Sequence, residues 1–397
     1  MQGLVMSEQN LNFDVVVDRR NTQCLKYDFA QERGYSKDVL PLWVADMDFK
    51  TSSYIVDELK RLSDHGIYGY SDTKDDYFDI VAAWQRKYHG WTPTKNSLIK
   101  TPGVVFALAM AVKSYTDVGD SVLIQSPVYY PFTEVITDNN RVVVSSDLVL
   151  GSDNIYHMDF EDFEKKIIDN NVKLFLLCNP HNPVGRVWTK EELTTVGDIC
   201  LKHNVIVVSD EIHSDFTFEG CHNVFASIKK EYEDISVICT SATKTFNLAS
   251  TLVSNIFIPN EKLYKAFKKQ VDAAGISQLS IFGIVATKTA YTKGEEWYEA
   301  VKKYIKSNVD FVQDYVSANL KGVKMIKHQG TYLIWLDFRG TGLSVDEIED
   351  LIVNKARLWL DSGKIFGKQG ECFERINVAC PRSVLKEALD RIKNALE

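Results

Sequence analysis

Four residues with usable chemistry stand just past the ends of apolar runs in this sequence. "SVLIQ" is followed by "SPVYYPF" with Tyr129, "KLFLLC" by "NPHNPVG" with Asn182, "VIVVS" by "DEIHSDF" with Asp210, and "ISVIC" by "TSATKTF" with Lys244. Singly each has an ordinary explanation: Tyr129 as a rim aromatic, Asn182 as a turn residue before Pro183, Asp210 as a helix cap, Lys244 as a solvated charge. Together Lys244, Asp210 and Tyr129 form one set: an amine able to form a Schiff base, an acid able to keep a ring nitrogen protonated, and a stacking aromatic.

The runs that must position them are rich in Val, Ile and Leu and apolar at nearly every position. With "RVVVS" at 141 and "SNIFI" at 254 they read as strands buried on both faces of a mainly parallel sheet. In a doubly wound sheet the carboxyl ends of the strands form the ligand crevice, so residues distant in sequence converge there. Helix starts lie between the runs; in "TKEEL", Thr189 and Glu192 have capping-box spacing. Residues 260 to 320 are mostly helical in pattern. The last third mixes strand-like "KMIK", "TYLIWLDF" and "FERINVA" with a helix opened by Ser344 and Glu347 and a final helix, which predicts a smaller α+β domain. The first fifty residues show no clear sheet run.

Other chemistries lack support. No G-x-G-x-x-G follows a strand and no G-x-x-x-x-G-K-[ST] occurs, which removes the dinucleotide and P-loop readings. "DEIH" with His181 or His222 does not make a metal site, because no helix carries His at i and i+4; no metal is expected. Among 397 residues, 46 are Lys or Arg and 54 Asp or Glu, and the charge of -8 is spread without the basic face that nucleic acid requires. No run approaches a membrane span, and "MQGLVMSEQNLNFDVVVDRR" has no signal-peptide pattern, so a cytoplasmic protein is expected. Seven scattered cysteines predict reduced core thiols. The lysine, the acid and the stacking aromatic among the strand-end residues are what pyridoxal phosphate needs.

In "PLWVADMDF" (41 to 49), "GIYGYSD", "TPGVVFAL", "SPVYYPF", "CNPHNPVGRVW", "VVSDEIHSDF", "SATKTFN", "GTYLIWLDF" and "RINVACPR" (375 to 382), the chain resembles the fold-type I, class I/II aminotransferase superfamily. Within it, "WVADMDF" and "DEIHSDF" resemble the cystathionine β-lyase branch, the MalY/PatB type of carbon–sulfur lyase. The resemblance implies an α/β, type I pyridoxal-phosphate-dependent transferase fold: a large domain (51–290) with a mainly parallel seven-stranded sheet flanked by helices, and a smaller α+β domain from 1–50 and 291–397.

It also implies roles. Lys244 carries the cofactor, Asp210 pairs with its pyridine nitrogen, Tyr129 stacks on the ring, and Asn182 with His213 contacts the phenolic oxygen. Gly103 and the amides of Val104 and Val105 open a helix onto the phosphate, as a helix N-terminus favours an anion. Ser241 adds a hydroxyl, and Tyr70 reaches the phosphate from a second subunit, which implies a homodimer with shared sites. Arg375 holds the substrate α-carboxylate with its planar fork, with the backbone near Ala45 closing over it; its ordinary alternative is a surface ion pair with Glu374 or Glu371. One position departs: eight residues past Lys244, where many members place a basic residue, stands Leu252, and Ser250 stands where relatives often have glycine.

The implied activity is β-elimination of an amino-acid thioether, cystathionine or another S-substituted cysteine, to a thiol, pyruvate and ammonia. Transamination on the same scaffold needs the same core residues and stays open, as does a cofactor-binding regulatory protein with little turnover.

Overall fold

The computed structural model describes residues 11–397. Residues 1–10, part of the stretch read for a signal peptide and of the 1–50 segment, lie outside the described residues.

Seven strands form the large sheet: β1 (Leu98–Thr101), β2 (Ser121–Ile124), β3 (Val142–Ser145), β4 (Leu174–Cys178), β5 (Ile206–Asp210), β6 (Ser236–Thr240) and β7 (Ser254–Phe257). Their order is β1-β7-β6-β5-β4-β2-β3. Strand β7 runs antiparallel to both neighbours and the other pairs are parallel. The apolar runs follow from two covered faces. Leu174, Leu176, Val208 and Val237 enter one apolar cluster, while Phe175, Leu177, Val207 and Ile238 enter another, the alternation of a pleated strand buried on both sides. Strand β1, "LIKT", carries a lysine and was not among the six sequence runs.

Helix α1 (Val104–Tyr115) begins directly after Gly103. Helix α2 (Lys190–Lys202) starts with the expected capping box: Glu192 N donates to Thr189 Oγ1 at 3.1 Å and Thr189 N to Glu192 Oε2 at 2.8 Å. A single helical turn, α3 (Ala242–Thr245), carries Lys244. The 260 to 320 stretch is helical over Glu261–Ala273, Ile281–Lys293 and α4 (Glu295–Asn319).

The smaller sheet is antiparallel, with β8 (Lys324–Met325), β9 (Leu333–Asp337), β10 (Asp361–Ser362) and β11 (Phe373–Asn377) in the order β8-β9-β11-β10. Ser344 and Glu347 form their capping box, and α5 (Arg382–Leu396) ends the chain. One apolar cluster joins this sheet to both long helices through Val301, Leu336 and Leu385, and takes in Leu42, Met47 and Phe49 from the N-terminal segment. Leu40–Pro41 also pairs in parallel with Leu358–Trp359. Among the described residues no helix is long and apolar enough to cross a membrane. No disulfide joins the seven cysteines; Cys178, Cys200, Cys239 and Cys380 are buried and Cys221 is exposed.

Candidate functional site

Strand register sets the site. Cys178 pairs with Asp210 and Asp210 with Cys239, so β4, β5 and β6 end within one residue of each other and the segments that follow them leave the sheet side by side. The Tyr129 segment follows β2, which neighbours β4. A backbone bond from Tyr129 N to Asn182 O, at 3.1 Å, ties these two loops together.

A cavity of about 240 Å³ opens over these ends. Its walls contain Ala45, Gly103, Val104, Val105, Tyr129, Asn182, Asp210, His213 and Lys244, nine of the expected residues, together with Pro102, Cys178, Ile212, Thr243, Ala249, Leu252 and Ser254. Lys244 is half-buried, and its Nζ donates to Ala45 O at 2.6 Å. Burial lowers its pKa to about 8, with the positive charge of Arg375 acting in the same direction and Asp46 and Asp210 opposing it. Lys244 also borders a second cavity of about 570 Å³, walled by Val17, Arg19, residues 22 to 25 and residues 44 to 50 with Asn247, Ala249 and Ser250. The amine therefore stands between two spaces, one at the strand ends and one beneath the N-terminal segment.

Asp210 is pushed up to about 7 by burial, against the N–H of Ile212, which donates to Oδ1 at 3.1 Å, and the charge of Lys244. A buried carboxylate so raised is suited to a cationic partner. Behind it Glu211 accepts from Ser209 Oγ at 2.9 Å and Phe225 N at 3.0 Å, and contacts His222 Nε2 at 2.8 Å. His213 is buried and held well below its usual value by burial and by Lys244 and Arg375; its Nδ1 has no hydrogen-bond partner.

Also lining the cavity, α1 begins without a side-chain cap and without an acidic residue in its first turn. Its free N–H groups and dipole suit an anion. Leu252 lines this cavity in the left-handed region, at φ 53°, and is 56% exposed. An amine, a raised acid, an orphaned imidazole nitrogen and an uncapped helix start around one cavity fit pyridoxal phosphate.

Three expected residues do not line the cavity. Ser241 caps α3, accepting from Thr243 N at 3.1 Å, while its hydroxyl donates to Val253 O at 2.7 Å; Thr243 takes the place in the wall. Tyr70 is 98% exposed on the surface. Arg375 is 2% exposed, sits on β11 opposite Asp361, and bonds that carboxylate rather than Glu374 or Glu371. Adjacent strand residues face opposite sides, so Glu374 points away from its neighbour's guanidinium. Arg375 Nη1 also donates to Asn182 Oδ1 at 3.0 Å and Nη2 to Trp43 O at 2.7 Å; Nε has no partner.

The sequence reading missed what holds the 43 to 49 segment. Asn377 Nδ2 donates to Val44 O at 2.7 Å and Asp46 O at 2.6 Å. Asn247 Nδ2 donates to Met47 O and Phe49 O, both at 2.9 Å, and Tyr332 OH to Ala45 O at 3.0 Å. Asp48 binds Arg19 and the fully buried Lys26, each at 2.7 Å, while Arg19 also bridges to Asp46. Two acids in "WVADMDF" did signal a need for cations, because buried carboxylates must be paired, but not which cations.

Comparisons with known proteins agree with this geometry. Residues 37–392 match the family model described as aminotransferase class I and II. The chain is 42% identical over 387 residues to cystathionine beta-lyase PatB of Bacillus subtilis (strain 168), covering 97% of this chain and 100% of that protein. A PLP-bound putative aminotransferase from Clostridium difficile 630 is 45% identical at a TM-score of 0.95, with 98% of this chain and 100% of that one covered. Cystalysin from Treponema denticola, whose crystal structure contains pyridoxal 5'-phosphate, is 37% identical at a TM-score of 0.93, covering 97% and 98%.

Proposed function

The chain belongs to the aminotransferase class I and II family, and on that premise we propose that it is a pyridoxal-phosphate-dependent carbon–sulfur lyase. It cleaves cystathionine and related S-substituted cysteines, with uptake of one water, to a thiol, pyruvate and ammonia. The observation that carries the reading is the meeting of Lys244, Asp210 and the uncapped start of α1 around one cavity. The 42% identity to PatB supports the lyase branch.

Bound there, pyridoxal phosphate supplies an electron sink for the carbon bearing the substrate amino group. Lys244 would hold the cofactor's aldehyde carbon and Asp210 its ring nitrogen. Asn182 and His213 would hold the phenolic oxygen, and Tyr129 would cover a ring face. Gly103, Val104 and Val105 would offer backbone to the phosphate, with Ser241 and the partner's Tyr70 adding hydroxyls. Asp210, charged once a cation faces it, would keep a proton on that nitrogen. Once the substrate's amino group has displaced it from the aldehyde carbon, the freed Lys244 Nζ would take the proton from the substrate carbon, a task suited to an amine whose burial has lowered it to about 8. Arg375 orients the substrate through its carboxylate, with Ala45 beside it. A thiol ionises near ~8.5, so sulfur on the next carbon leaves as thiolate far more readily than oxygen would.

The placement of Tyr70 outside its own cavity supports a homodimer with shared sites. We place the protein in the cytoplasm. We also propose a small domain of 1–50 with 291–397 beside a large domain of 51–290; the cluster uniting Leu42 and Met47 with Val301 and Leu385 supports the small one, and reaches Trp84 and Phe246 where the large one packs against it. Incubation with cystathionine and no keto-acid acceptor tests the activity. Equal amounts of pyruvate and thiol are expected. Their absence, with turnover appearing only when a keto acid is added, overturns the lyase in favour of transamination, the activity ascribed to the Clostridium difficile protein.

A further inference from the structure

We propose that Asp215 is a positioning residue for Lys244, acting through the hydroxyl of Thr245. The inference rests on the proposed lyase only in taking Lys244 as the acting amine.

Helix α3 is four residues long, and a single turn cannot stabilise itself, since its nucleation cost exceeds the return of one hydrogen bond. Outside groups fix it at both ends. At the start Ser241 bonds Val253 O, and at the end Thr245 Oγ1, fully buried, donates to Asp215 Oδ2. The carboxylate is itself immobile. Its Oδ1 accepts from Trp84 Nε1 at 3.1 Å and meets His89 Nε2 at 2.9 Å, and its backbone oxygen accepts from Tyr298 OH at 2.6 Å. Rotating it would strand the buried donors of Trp84, His89 and Thr245, on two elements, each at the full desolvation cost. Burial pushes Asp215 up, but its bonds from His89, Thr245 and Trp84 outweigh that and hold it below the usual carboxylate range. It is thus an ionised acceptor, and His89 Nε2 is the donor in their contact.

Thr245 is the next residue after Lys244, so this anchor sets where the lysine stem leaves the turn. The Ala45 carbonyl takes the far end of the same side chain at 2.6 Å. Lys244 therefore departs from a fixed turn and reaches a fixed acceptor. Release of the turn would spread the amine over the two cavities it borders. General-base transfer demands hydrogen-bond reach to one carbon, so such spreading lowers kcat more than it alters binding.

The test uses the cofactor-loaded protein with Thr245→Val, Thr245→Ser and Asp215→Asn. Thr245→Val is expected to shift the pH midpoint of the visible absorbance of the cofactor–lysine adduct. It should also lower kcat about tenfold, the effect of one lost hydrogen bond, with KM within about twofold. Thr245→Ser restores both, and Asp215→Asn behaves as Thr245→Val does, which decides the matter if the valine variant fails to fold. An unchanged midpoint and kcat in Thr245→Val overturns the inference, even if the protein melts earlier, because that pattern marks a merely structural bond. Borohydride trapping of the adduct on Lys244 in the parent protein tests the lyase reading separately. A trapped parent with silent variants sinks this inference alone.

Discussion

Lys244 Nζ donates to the carbonyl oxygen of Ala45 at 2.6 Å, although 199 residues separate them in the chain. The same oxygen accepts from Tyr332 OH at 3.0 Å. One carbonyl of the N-terminal segment thus joins the turn after β6 to the small sheet. The amine is satisfied by a neutral acceptor rather than an ion pair, which leaves burial free to lower its pKa.

That arrangement predicts how the cofactor-free protein reacts. Lys244 titrates near 8 against 10.5 for an ordinary lysine, so it is an uncharged nucleophile at pH values where surface lysines are protonated. Acylation of Lys244, followed by peptide mapping, should reach half its maximal rate at about pH 8. A midpoint at or above 10 would show that burial does not govern the amine.

Asp210 gives a prediction of opposite sense to the usual acid. It titrates near 7 in the folded chain and at 3.8 as a free group, so the folded state binds its proton more tightly. Its stabilising contribution is complete below pH 3.8 and is lost as pH rises through 7. Asp210→Asn removes that loss. The cofactor-free variant should resist urea better than the parent at pH 8, by up to a few kcal/mol at about 1.4 kcal/mol for each tenfold change in proton affinity, and no better near pH 4. Elimination should meanwhile fall about a hundredfold or more, because a neutral amide does not favour a charged ring nitrogen. Equal urea midpoints at pH 8 would refute the stability claim.

Arg375 and Asp361 form a buried pair, so two replacements of the arginine fail differently. Arg375→Ala leaves a carboxylate without its cation and should cost about 3–5 kcal/mol of stability. Arg375→Lys keeps the charge but lacks the planar fork, and should raise KM for the thioether about tenfold or more while the fold persists. Measured side by side by denaturation and initial rates, a lysine variant with parental KM would remove Arg375 from carboxylate binding.

The large sheet was legible because most of its strands are covered on both faces, which makes them apolar at nearly every position and lets the polar residue at the end of each run announce itself. Asp210, Asn182 and Tyr129 were found that way. Strand β1 was hidden by Lys100 in a four-residue run, and the antiparallel direction of β7 has no local signature. Strand β10 is two residues long, so nothing in the sequence marked Asp361 as the partner of Arg375. The 43 to 49 segment was recognisable as a motif, yet its position depends on Asn247, Tyr332 and Asn377, reached only through the fold. Capping boxes at Thr189 and Ser344 were readable because both partners lie three residues apart.

Tyr70 carries the prediction about assembly. Its side chain is 98% exposed, in a stretch with Ile67 and Tyr68 also exposed, and it is not among the residues lining its own chain's cavity. As a surface residue its replacement by alanine should leave the stability of the single chain within about 0.5 kcal/mol. In a homodimer with shared sites, Tyr70→Ala instead weakens cofactor retention and elimination. A hybrid then separates the two accounts. Subunits carrying Lys244→Ala and subunits carrying Tyr70→Ala are each impaired alone, but a mixed dimer with both lesions assigned to one site leaves the other site whole. Refolding the two together should yield more pyruvate from cystathionine than the sum of the separate proteins. No gain on mixing, or a monomer by sedimentation equilibrium, would place Tyr70 outside the site and end the shared-site proposal.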